Sequence, residues 1–172
     1  MKAKAILLFL FMFSDTLWAQ GSDTAVPTRP LNSLSINFLG DASLISFAYE
    51  RQYILKENFL LTSKLGVGYN SEVSFCIFGS CNGAENKYVT IPHHITGNWG
   101  KGRHFLEFGF GGTYVAGNTN YPYVAYPLLG YRILPLKKDK MNFRIYSSYP
   151  FNGNDILDYY FAIIGLSFGV SF

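Results

Sequence analysis

Asp-Tyr-Tyr-Phe-Ala-Ile-Ile-Gly-Leu-Ser-Phe-Gly-Val-Ser-Phe, residues Asp158 to Phe172, closes the chain, and its alternation decides the fold. Counting back from the end, Phe172, Val170, Phe168, Leu166, Ile164, Ala162 and Tyr160 take every second position. Ser171, Gly169, Ser167 and Gly165 lie between them. A period of two is the mark of a strand with one apolar face. Small and polar residues suit a narrow shared interior, so the apolar face looks outward. A bilayer is the solvent such a face prefers, and the run reads as the closing strand of a membrane β-barrel.

The same alternation recurs upstream. Leu34, Ile36 and Phe38 open a first segment, and Ile45, Phe47, Tyr49 and Arg51 alternate with Ser46, Ala48, Glu50 and Gln52 in a second. Phe59, Leu61, Leu65, Val67 and Tyr69 form the third, against Thr62, Lys64, Gly66 and Gly68. Val89, Ile91 and Ile95 mark a fourth; Leu106, Phe108, Phe110 and Tyr114 a fifth; Leu129, Tyr131 and Ile133 a sixth; Phe143 and Ile145 a seventh. With the terminal run this predicts an all-β fold, an eight-stranded antiparallel up-and-down transmembrane barrel. Such strands need about 9–11 residues to cross the hydrocarbon layer. The breaks at Lys56 to Asn58, Asn98 to Arg103 and Leu136 to Met141 are short and polar, as periplasmic turns are. Asp41-Ala42, Ser71 to Asn86, Ala116 to Pro122 and Phe151 to Leu157 fall at the other end. Tyr53, Tyr69, Tyr88, Trp99, Tyr114, Tyr123 and Tyr160 sit at strand ends, where an aromatic girdle belongs.

Composition agrees with this. Of 172 residues, 15% are charged and 18% aromatic, against about a quarter charged in an ordinary soluble domain. A net charge of +3, spread thinly, gives no footprint for nucleic acid. Lys2 and Lys4 followed by the apolar stretch Ala5 to Phe13, with Ala19 before Gln20, predict a signal peptide over 1–19. A linker over 20–30 and a barrel over 31–172 complete the expected organisation. Cys76 and Cys81 lie in a Gly/Ser/Asn-rich stretch of an exported chain, which predicts a disulfide between them. No further ligand stands at a recognised spacing from them, so neither a metal site nor a cofactor is expected.

Parity turns Glu50, Lys64, Glu107, Arg132 and Arg144 inward. Eight strands leave an interior that side chains fill, and charges confined there must pair. The expectation is a plugged interior with a structural role. His93 falls on the outward face, and Pro92 beside it predicts a bulge that resets the register. With His94 and His104 it completes the set of imidazoles, and no nucleophile-elbow pattern accompanies them.

The segment Phe105 to Gly111 resembles a strand of outer-membrane lipid A deacylases, but no His follows His104, so that family's later His/Ser pair has no counterpart. The signal, the eight segments and the terminal Phe together resemble the small outer-membrane barrels of the OmpA/OmpX-like class. That resemblance implies a Gram-negative outer membrane, surrounding lipid, and both termini in the periplasm. It also implies that the stripe of Tyr160, Leu166, Phe168, Val170 and Phe172 is the signal read by the barrel-assembly machinery, with a periplasmic chaperone as a second transient partner. The expected function is a non-catalytic structural or surface-interaction barrel. The alternatives are a narrow channel for small or hydrophobic solutes, a lipid-modifying enzyme and, for the fold, a soluble lipocalin-like barrel with its apolar face inside.

Overall fold

The computed structural model describes residues 29–71, 86–136, 139–153, 157 and 159–172. Its strands are β1 (Asn32–Phe38), β2 (Ile45–Lys56), β3 (Phe59–Ser71), β4 (Lys87–Lys101), β5 (His104–Ala116), β6 (Tyr123–Ile133), β7 (Met141–Ser148) and β8 (Ile164–Ser171). Each pairs antiparallel with the next, and β8 closes on β1 through Ser33–Ser171 to Phe38–Leu166. The result is a closed, all-antiparallel, up-and-down barrel of eight strands. Closure leaves no strand edge unpaired. Two-residue turns at 57–58 and 102–103, the end of β6, the start of β7, the start of β1 and the end of β8 share one end, called here the turn end. The connections 39–44 and 117–122 lie at the opposite end, the loop end, with the end of β3, the start of β4, the end of β7 and the start of β8.

Every strand alternates buried and exposed positions, and the sign is the reverse of a soluble barrel's. In β8, Gly165, Ser167 and Ser171 are buried whereas Leu166, Phe168 and Val170 are exposed. Phe47, Val67, Ile95 and Phe110 stand 59–65% exposed on the outer wall. From Leu106 to Tyr114 the outward face of β5 is apolar, a height of about 20 Å for a strand tilted as barrel strands are.

Four expectations need correction. The terminal strand starts at Ile164, so Tyr160 and Ala162 precede it, while Tyr159 and Phe161 turn into the lumen. The alternation of 159–163 belongs to a connection whose aromatic side chains fill the loop end. Pro92 makes no bulge, for β4 keeps one register with β5 throughout and with β3 on either side of Pro92. The ladder to β3 skips Ile91 and Pro92, the latter having no N–H to give, and resumes in the same register at Gly68–Thr90. Tyr88 lies buried in the lumen, not in a girdle. The break expected over Asn98 to Arg103 shrinks to 102–103, since Asn98 to Lys101 continue β4. The one register shift between β2 and β3 falls at Ile54/Lys56, beside the turn end. The expected signal peptide and the expected Cys76–Cys81 disulfide fall outside the described residues.

Candidate functional site

The lumen is layered. At the turn end Leu60, Phe105 and Leu134 are buried with Ile54 against them, and the Arg29 guanidinium stands 5.0 Å over the Phe105 ring. At the loop end Ala42, Tyr88, Val115, Val124, Tyr126, Tyr159 and Phe161 form a second apolar cluster. Polar and charged side chains occupy the space between. All five inward charges named from parity are 2–3% exposed or less, and the structure brings them together with Asp41.

Four of them make a belt. Strand parity carries Glu50 in from β2, Glu107 from β5, Arg132 from β6 and Arg144 from β7. Arg132 Nη1 donates to Glu50 Oε2 at 2.6 Å, and its Nη2 to Glu107 Oε1 at 3.1 Å. Arg144 Nε donates to Glu107 Oε2 at 2.6 Å and lies 4.0 Å from Glu50 through Nη1. Thr96 Oγ1 adds a 2.6 Å hydrogen bond to Glu107 Oε1. Each carboxylate thus faces both guanidiniums, the arrangement under which burying charge is tolerable. The Arg144 guanidinium also stacks 4.1 Å from the Tyr146 ring centre.

Lys64, the fifth charge, is held by a connection. Residues 39–44 turn inward, with Asp41, Ala42 and Ser43 buried. Lys64 Nζ reaches Asp41 Oδ2 at 3.3 Å and Asn37 Oδ1 at 2.9 Å. The walls bond this tucked segment from several sides. Tyr146 Oη donates to Leu39 O, Ser148 Oγ to Gly40 O, Thr113 Oγ1 to Asp41 O and Asn70 Nδ2 to Ala42 O. Ser43 Oγ and Thr90 Oγ1 share a 2.7 Å hydrogen bond. Leu39, Gly40 and Ala42 all take positive φ, at 63°, 80° and 57°. Two of these are non-glycine residues in a sparsely populated region, held there by those bonds. A Cβ on Gly40 would stand 2.6 Å from the Gly165 Cα, so this close approach requires glycine.

A directed hydrogen-bond chain joins belt to segment. Arg144 Nη2 meets His94 Nδ1 at 3.4 Å, and His94 Nε2 meets Tyr126 Oη at 3.0 Å. Tyr126 Oη lies 2.9 Å from Thr113 Oγ1, which donates 2.7 Å to Asp41 O. A guanidinium can only donate. His94 therefore accepts at Nδ1 and donates at Nε2, Tyr126 donates to Thr113, and Thr113 to the carbonyl.

Outside the lumen, His93 Nε2 lies 2.9 Å from Tyr123 Oη, with the tyrosine laid across Gly112. His104 meets the Tyr131 phenol through Nδ1, the two rings stacked, near the turn end. The histidines therefore occupy three separate places. Among the described residues no group of three or more His, Cys, Asp or Glu could hold a metal ion. A shallow groove of about 460 Å³ runs beside Leu39 and residues 160–164 at the loop end, lined by apolar side chains and the Tyr160 phenol.

Asp41 is the residue that sequence reasoning missed. Its signal was arithmetic, for the inward set of three cations and two anions left one cation over. The tucked connection carries the missing anion. Comparison with protein-family models, curated proteins and solved structures finds no match to this chain.

Proposed function

We propose that the chain is an integral barrel of the bacterial outer membrane, with both termini periplasmic, and that it acts as a structural or surface-interaction protein without catalysis. The observation that carries this reading is the inverted wall: large apolar side chains cover the outside, and the ionic groups are drawn into the lumen. In water that arrangement would leave a continuous apolar surface far larger than soluble monomers tolerate. In lipid it satisfies every strand, because the backbone bonds close around the barrel. Apolar layers at both ends, the belt and the tucked segment favour a closed scaffold over a solute channel. Both carboxylates of the belt are engaged by guanidiniums, which suits cohesion rather than proton transfer.

The test is fractionation of cells producing the full chain. The protein should co-sediment with outer-membrane markers, resist extraction by carbonate, and migrate differently on gels before and after heating. Recovery in the soluble periplasmic fraction as a folded monomer would refute the proposal. The terminal stripe of β8 supports a role as assembly signal. Deleting Phe172 should then lower the inserted fraction severalfold while signal cleavage continues, measured by heat-modifiable migration; unchanged insertion would remove that role.

A further inference from the structure

The outward charges are distributed unequally between the two ends. At the turn end Lys56, Lys101, Arg103 and Lys140 are exposed and Arg51 is half-buried on the outer wall. Glu57 and Asp139 are the acidic residues among them, and Asp139 is engaged by Arg103 at 3.1 Å. At the loop end Lys87 is the charged residue outside the lumen among the described residues. Inside, Lys64, Arg132 and Arg144 balance Asp41, Glu50 and Glu107, so the lumen does not offset the difference.

The cations also stand at a definite depth. Trp99, 59% exposed, lies two positions before Lys101 on the outer face of β4. Arg51 holds its guanidinium 5.5 Å from the Tyr53 ring on β2. Aromatic rings of this kind settle at the boundary between hydrocarbon and headgroups, and long basic side chains beside them extend their charge to the phosphates. Around the turn end the apolar band thus passes through aromatic rings into a basic collar.

We infer that this collar binds the phosphate groups of anionic glycerophospholipids in the leaflet around the turn end. The inference rests on the membrane-barrel reading above. Anionic headgroups concentrate beside clustered Lys and Arg through forces that weaken with salt. Neutral phospholipid shares the phosphate but carries no net charge, so the collar should discriminate by headgroup charge. Lipid A offers phosphates as well, but from the opposite leaflet if the turns are periplasmic.

The experiment uses the purified full chain in phosphatidylcholine vesicles containing a trace of spin-labelled phosphatidylglycerol or spin-labelled phosphatidylcholine. The motionally restricted fraction should be about twofold larger for the anionic label at low salt, and the two should converge near 0.5 M salt, where screening is short-ranged. Equal fractions at low salt would overturn the inference. A variant combining Lys56→Glu, Lys101→Glu, Arg103→Glu and Lys140→Glu should lose the preference while keeping heat-modifiable migration. The salt series on the unaltered chain decides the matter even where that variant fails to fold. A protein that does not float with vesicles of either composition would instead refute the membrane reading itself. To separate the lipid sources, Lys101→Cys in a Cys76→Ser/Cys81→Ser background is treated with an impermeant maleimide in whole cells. Labelling should require permeabilised cells, and labelling of intact cells would transfer the collar to the lipid A leaflet and overturn the assignment.

Discussion

The belt and the tucked segment both bury ion pairs in one lumen, yet they are built differently. Glu50, Glu107, Arg132 and Arg144 come from four strands at positions that alternation forces inward. Each has two partners of opposite sign, so the belt ties walls that do not pair with each other, such as β2 with β6. Asp41 comes from a connection with left-handed backbone on either side of it, and it meets the single cation Lys64. The lesson is that parity generates a cross-brace, whereas closing the loop end takes a segment folded against its own conformational preference. The first is expected to set the stability of the barrel, the second the state of its mouth.

Removing the most connected member should therefore do the most damage. Glu107→Gln leaves two buried guanidiniums to share Glu50 and loses the charged acceptor of Thr96. Unfolding in urea should show a loss of about 3–5 kcal/mol, the usual cost of orphaning one side of a buried ion pair. Asp41→Asn is milder because the amide can still accept from Lys64, which also keeps Asn37. A loss of about 1–3 kcal/mol is expected. Its signature is local, with faster amide exchange at 39–44 while the strand amides keep their protection. If Asp41→Asn instead proves as costly as Glu107→Gln and exchange rises throughout, the two regions are one unit. Ser43→Ala removes the 2.7 Å hydroxyl bond to Thr90 and a long 3.5 Å one to Asp41 O, and about 1 kcal/mol or less should separate it from the parent chain by the same urea assay.

What could be read in advance follows the same division. Strand number and facing were legible because a period of two is local: Phe168 and Ser167 declare their sides without knowledge of any partner. Inward parity likewise delivered all four belt residues, as facing is the only condition for meeting in so narrow a lumen. The contents of the connections were not legible in that way. Tyr159 and Phe161 alternate like a strand, but they fill the space over Tyr126 and Tyr88, a decision made by volume rather than by period. Pro92 suggested a bulge from its chemistry alone, whereas the flanking register pairs of β4 with β5 hold that strand straight. Asp41 lies in a stretch that resembles any polar turn. Only the partners offered by β2, β3 and β5 explain why it is buried.

The central claim is that the wall is turned inside out relative to a soluble barrel, and neighbouring positions on one strand test it most directly. Phe108 is 45% exposed and Glu107 is fully buried. Single cysteines are placed at each position in turn, in a chain carrying Cys76→Ser and Cys81→Ser, and labelled with a fluorophore after reconstitution into vesicles containing brominated lipid. Position 108 should be strongly quenched by the bromines. Position 107, if labelled at all, should be shielded from them, with Gly169→Cys as a second inward site that leaves the belt intact. Strong quenching at 107 and 169 with none at 108 would contradict the account and assign the apolar face to the inside.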